Sequence, residues 1–299
     1  MHGLLVIDKP QGLTSHTVVQ RVRHVCKVKR VGHAGTLDPL ATGLLVIGIG
    51  KCTRLIEYLV ASEKGYQATF ILGKVTDSQD ITGAVISEDC AAHVTAEMIR
   101  QACADFVGII EQVPPMFSAL KQNGVPLYRL ARQGVEVERQ KRQITINRLD
   151  VEHIDGPEVT IAVDCSKGTY IRTLCHDIGQ QLGCGACMTS LRRIRSGCFD
   201  ESMAITMDAL VDGDFQLLPA TAALQTMTIL VVAASGRERL LHGIPPLVAD
   251  LIDSCILQDG DRVALYYDDK LLAIASYDPE HQLEDRGDFK LLKVFPEGI

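Results

Sequence analysis

Two kinds of apolar pattern alternate along the chain. "GLLVIDKP" at 3–10 and "TGLLVIGIG" at 42–50 are unbroken apolar runs, which predicts strands covered on both faces. "YQATFILG" at 66–73 also reads as a strand, while "ITINRLDVEHID" at 144–155 and "EVTIAVDCS" at 158–166 alternate as half-buried antiparallel strands do. Between them lie stretches with helical spacing. Val18, Val22 and Val25 follow a Thr14/Ser15 cap signal, and "TRLIEYLVAS" at 53–62 forms a second such stretch. "TAEMIRQACADFVG" starts at the capping residue Thr95, and "TYIRTLCHDIGQQLG" runs from Thr169 to a stop at Gly183. Helices interleaved with alternating strands predict an α+β fold with a mixed, largely antiparallel sheet rather than a doubly wound parallel one. The pattern shifts over 211–227. Beyond it, "DRVALYY", "LLAIASY" and "KLLKVF" predict a small β-rich C-terminal domain, giving domains at 1–227 and 228–299.

Composition narrows the class. The 299 residues are 46% apolar and 22% charged, enough for a full core and for two domains. No apolar run reaches the roughly 18 to 20 residues of a membrane span. "MHGLLVIDKPQG" breaks with an acid and a proline where a signal peptide would continue, so the cytoplasm is expected. Ten cysteines are scattered over helix-like and strand-like segments, which suits reduced thiols. Only "CGAC", Cys184 to Cys187, with Cys175, His176 and Cys198 nearby, has metal-like spacing, and it lacks the second close ligand pair of a structural zinc site.

The net charge of −7 argues at first against a polyanionic partner. Its distribution weakens the objection. From Ile229 to Ile299 there are 7 basic and 13 acidic residues, so most of the excess belongs to the C-terminal segment. In the remainder the basic groups cluster: Lys9, Arg21, Arg23, Lys27, Lys29 and Arg30 lie in a stretch, 9–37, with no acid, and "RQKR" at 139–142 and "RRIR" at 192–195 add two more clusters. Phosphate attraction is local and screened beyond about 8 to 10 Å, so clustering matters more than the sum. Each cluster alone also fits an ordinary solvated face.

Cofactor signatures fail in turn. "CSKGTY" lacks P-loop spacing, "GIGKCT" lacks the third glycine of a dinucleotide fingerprint, and "TDSQDITG" lacks a calcium-loop rhythm. What remains is Asp38, alone among small and apolar residues in "GHAGTLDPLATGLL". Flanked by Leu37 and Pro39 it would be partly desolvated, and a cation, best an arginine, would be needed to keep it ionised. Spacing also fits a simple turn initiator before proline. By the same measure Tyr66 fits a core aromatic, His33 a loop histidine and Arg172 a surface arginine of a helix.

"GHAGTLDPLATGLL" resembles the catalytic motif of the TruB family of tRNA pseudouridine synthases, matching at Gly32, His33, Gly35, Leu37, Asp38, Pro39, Ala41, Gly43 and Leu44. "DKPQGLTS" at 8–15 is similar to the family's first motif. "YQATFILGKVTDSQDITG" at 66–83 is similar to its tyrosine motif, with Ser78 where Thr is usual. "PPMFSALKQNGVPLYRLARQG", "CSKGTYIRTLCHDIG" and "LGCGACMTSLRR" follow in order, so the resemblance spans residues 3–195.

The resemblance implies a pseudouridine-synthase core followed by a PUA-like domain, acting without metal or organic cofactor on a uridine in the T arm of tRNA, at position 55. Asp38 would be the essential carboxylate, Arg172 its partner cation, and Tyr66 would lie against the uracil with a hydroxyl able to serve the C5 proton. Leu191 would pack the base, and His33 would stack where the everted bases had been. Tyr170 would belong to the binding site, Lys9 would shape the pocket floor, and Arg192 and Arg193 would grip phosphates. A monomer is expected. The first motif starts at residue 3, which points to a stand-alone enzyme rather than a guide-RNA relative. A non-catalytic tRNA-binding or tRNA-folding role on the same scaffold is the competing reading.

Overall fold

The computed structural model describes residues 1–253, 255–280 and 287–299. Nine strands form the main sheet: β1 (Gly3–Lys9), β2 (Val31–His33), β3 (Thr42–Ile49), β4 (Lys64–Leu72), β5 (Gly108–Gln112), β6 (Arg142–Asp155), β7 (Glu158–Cys165), β8 (Ala186–Ser196) and β9 (Phe199–Asp200). The path runs β1-β3-β8-β4-β7-β6-β5, with β2 on β3 and β9 on β8. Every pairing is antiparallel except the short parallel join of β3 to β8, at Thr42↔Arg192 and Gly43↔Arg193. The expected mixed, largely antiparallel sheet is therefore what forms.

The two apolar patterns have different causes. Leu5, Ile7, Leu45, Ile47 and Ile49 pack under helix α1 (Ser15–Cys26), while Leu4, Val6, Leu44 and Val46 on the opposite face enter a second core. Strands β1 and β3 are covered twice, hence their continuous runs. Strands β4, β6 and β7 are covered once: Tyr66, Ala68, Phe70, Ile144, Ile146, Val159, Ile161 and Val163 face helices α2 (Ala96–Asp105) and α3 (Ile171–Gln181). Gln67, between them in sequence, is exposed.

Local sequence fixes the helix ends. The Thr14 hydroxyl accepts from Thr17 N–H at 3.0 Å, Thr95 caps α2 in the same way, and Lys27 closes α1 in the left-handed region at φ 53°. Val18, Val19, Val22 and Cys26 are the buried stripe of α1; Arg21, His24, Lys27, Lys29 and Arg30 are exposed on and just beyond it. Gly43 carries φ 93°, and a Cβ there would collide with the Arg193 backbone, so the close parallel join requires glycine. No helix among the described residues is long and apolar enough to cross a membrane.

A separate four-stranded sheet holds β10 (Thr228–Val231), β11 (Arg262–Tyr267), β12 (Lys270–Tyr277) and β13 (Phe289–Val294). The last three match the three strand-like pieces read from sequence. Asp268 and Asp269, both at positive φ, make the two-residue turn between β11 and β12. This sheet does not stand apart. Ala264, Tyr266, Leu271, Ile274 and Phe295 share one core with Leu4, Val6, Leu55 and Leu59. Lys51–Glu297 at 2.7 Å, Lys293–Glu57 at 2.5 Å, and the Arg54 guanidinium 4.6 Å above the Phe295 ring rim that contact. Phe295→Ala should therefore destabilise the whole chain by about 3–5 kcal/mol in urea unfolding. Removing residues 229–299 should open the shared core and increase binding of an apolar dye.

Candidate active site

Asp38 lies on the loop between β2 and β3. After His33, Ala34 N–H donates to Val46 at 2.8 Å, and Leu37 is then gripped by the buried hydroxyl of Ser15, which accepts from its N–H at 2.8 Å and donates to its C=O at 3.1 Å. Gly12 N–H donates to Pro39 C=O at 2.8 Å, and Ala41 N–H to Asp38 C=O at 3.1 Å. The turn reading of Asp38 is thus correct for its backbone. Its carboxylate points elsewhere.

Arg172 stands in the first turn of α3, 5% exposed. Its Nη2 lies 3.2 Å from Asp38 Oδ2 and also donates to Phe117 C=O at 2.5 Å; its Nη1 lies 3.5 Å from Asp80 Oδ2. The cation that the electrostatic argument required for Asp38 is present, and it serves two carboxylates. Asp80 is itself held by Ser78 Oγ, Thr82 N–H and Thr82 Oγ1, at 2.9, 2.9 and 2.5 Å. Gln79, at φ 64°, turns that loop back, and its side chain accepts from Thr173 Oγ1 at 2.7 Å. Sequence reading took Asp80 only as half of a failed calcium loop. Its place in the tyrosine motif, followed at once by Ile81 and Thr82, was the available signal.

Burial pushes the Asp38 carboxyl above its ordinary value of 3.8; Arg172 and Lys9 pull it back, and Asp80 adds to the rise. Arg172 therefore limits the effect of desolvation without reversing it. Lys9, expected at the pocket floor, does not line the cleft: it is fully buried behind it, with its amine donating to Pro10 C=O at 3.0 Å and Leu13 C=O at 2.8 Å. Burial lowers it to about 8, against the pull of Asp38. Lys64 is lowered to about 8 in the same way, by burial and then by Arg193.

A cleft of about 330 Å³ opens beside the pair, lined by Asp38, Tyr66, Tyr170, Arg172, Leu191 and Arg193 among others. Burial pushes the Tyr66 phenol up, Arg193 opposing, so the hydroxyl keeps its proton at neutral pH. The Arg172 guanidinium sits 5.9 Å from the Tyr170 ring. His33 lies outside this lining, half-buried, and burial with the Arg193 charge lowers its imidazole.

Two expectations need correction. Arg193 is 1% exposed, with Nε donating to Leu44 C=O at 2.7 Å and Nη2 to Gly35 C=O at 3.2 Å, so it is part of the cleft wall and does not grip phosphates. Arg192 is engaged by Asp8 through two bonds, at 3.1 and 2.9 Å, and by Glu201 at 2.6 Å. Arg195 pairs with Asp164 at 2.7 Å. The "RRIR" cluster therefore braces the sheet. Cys184 and Cys187 are buried free thiols at the start of β8, and no group of metal-binding side chains forms among the described residues.

The mixed sheet thus carries a cleft in which a half-open carboxylate meets a buried arginine. The solved Cbf5–Nop10–Gar1 complex contains a chain that matches 99% of this one over 86% of its own length, at 28% identity and a TM-score of 0.76. Residues 23–171 match the model of the TruB family pseudouridylate synthase N-terminal domain, and residues 172–225 that of the tRNA pseudouridylate synthase B C-terminal domain. A tRNA pseudouridine synthase B of Syntrophotalea carbinolica is 47% identical over 100% of this chain and 99% of its own, and one of Geobacter sulfurreducens is 44% identical over 99% and 100%. The chain belongs to the TruB family and is a tRNA pseudouridine synthase, an isomerase.

Replacing Asp80 with Ala leaves the buried Arg172 one carboxylate short. Unfolding free energy should drop by about 3–5 kcal/mol, measured in urea. Asp38→Asn should behave oppositely. A carboxyl whose folded value is raised costs stability once ionised, so the variant should equal or exceed the parent above that value. The difference should vanish on acidification below 3.8, where both side chains are neutral.

Proposed function

We propose that the enzyme isomerises the uridine at position 55 in the T loop of tRNA to pseudouridine, acting as a cytoplasmic monomer. The observation that carries this reading is the Asp38–Arg172 pair, 3.2 Å apart in a cleft that also presents Tyr66 and Leu191. A volume of about 330 Å³ suits one everted nucleotide rather than a paired stem.

In the reaction the N1–C1′ bond breaks, the uracil turns, and C5 bonds to C1′; the C5 proton leaves and N1 ends protonated. Ionised Asp38 stabilises positive charge developing at C1′, as glycosidase carboxylates do. Arg172 holds it in place. Tyr66 and Leu191 pack against the uracil, and the Tyr66 hydroxyl relays the C5 proton, passing its own proton on toward N1 as it accepts that one. Tyr170 and Arg193 shape the walls, and His33 stacks into the gap left in the loop. Phosphates are met by the exposed cations of α1 and the residues after it, Arg21, Lys27, Lys29 and Arg30. The segment from 228 on is PUA-like and, being acidic, contributes modestly to RNA affinity.

Mapping pseudouridine in total tRNA treated with the purified protein should find it at position 55. Asp38→Asn should bind the same tRNA and leave it unmodified; a product from that variant would refute the assignment. Turnover should fall on the acid side through a group titrating above 3.8, because Asp38 works ionised and burial raises it.

A further inference from the structure

Gln112 ends the edge strand β5, yet it is only 2% exposed. Its side-chain amide meets one residue twice. Tyr170 N–H donates to Oε1 at 2.8 Å, and Nε2 donates to Tyr170 C=O at 3.0 Å. Tyr170 is the N-cap of α3 and makes no capping bond with its own side chain. Arg172 follows two residues later, and Phe117, five residues after Gln112, accepts from Arg172 Nη2. One buried amide thus fixes the start of the helix that carries the arginine, and it roots the segment whose carbonyl meets the guanidinium.

We propose that Gln112 is a positioning residue for pseudouridine formation: it sets the entry of α3 so that Arg172 reaches Asp38. The inference rests on the assignment of Asp38 and Arg172 as the working pair. A guanidinium at the end of a long side chain amplifies any tilt of its helix start, and a misplacement of about 1 Å costs on the order of 10²-fold in rate. The α1 cations proposed to meet tRNA phosphates make no hydrogen bond to this clamp.

Gln112→Glu discriminates this role from simple packing. Protonated, the introduced carboxyl is isosteric and can both accept from Tyr170 N–H and donate to Tyr170 C=O. Ionised, it can only accept. Arg142, opposite Gln112 in the β5–β6 register, and Arg172 favour ionisation, while burial and the Asp38 and Asp80 charges beyond Arg172 oppose it. Single-turnover rates on tRNA should be measured from pH 5.5 to 8.5, with tRNA affinity measured in parallel. The parent-to-variant rate ratio should climb at least tenfold with pH, reversibly on one sample, with affinity within twofold. A ratio that stays flat, at one or at any larger value, overturns the proposal, as does a loss that is not restored on returning to low pH. Gln112→Leu, which can neither donate nor accept, should be slow at every pH. Activity in Asp38→Asn would instead overturn the pair assignment on which the inference stands.

Discussion

A guanidinium shut away from water cannot be left unpaired, and the cleft beside the main sheet is organised around one. Arg172 is 5% exposed and is neutralised by Asp38 on one side and Asp80 on the other. An unpaired cation there would cost several kcal/mol. The requirement binds three distant segments together: the loop before β3, the turn after β4, and the first turn of α3. It also limits, without cancelling, the penalty on an ionised Asp38, the more open carboxylate, in a cleft that favours the protonated form.

The sheet supplies the place for that pair. Strand β8 lies between β3 and β4, and its short parallel contact with β3 needs a glycine at 43 for the backbones to meet. The basic residues of β8 that look from sequence like an RNA grip are absorbed in holding this region: Arg193 ties together the carbonyls of Leu44 and Gly35, and Arg192 clamps Asp8. Charge facing solvent is found on α1, whose polar side is free because β1 and β3 take only its valine stripe.

Much of this was legible in the residues. Double coverage of β1 and β3 and single coverage of β6 and β7 follow directly from continuous against alternating patterns. Thr14 and Thr95 announced their helices. For the site, Asp38 was singled out by its isolation and by the need for a cation, and the family motif pointed to Arg172. What could not be read was pairing by backbone. Ser15 grips both polar groups of Leu37, and Gln112 grips both of Tyr170; each is a common polar residue whose task depends on a chain segment far away in sequence. Asp80 was missed for the same reason, since nothing local says which arginine it faces. Arg193 was misread because a buried arginine and an exposed one look identical in a basic cluster.

The position of β8 in the sheet has a consequence for biosynthesis. When residues 42–49 and 64–72 have left the ribosome, the strand that joins them, 186–196, has not yet been made. The nascent chain carries two long, apolar strands with unpaired edges, a state prone to wrong pairing. The last central strand to be translated is therefore the one that closes the sheet.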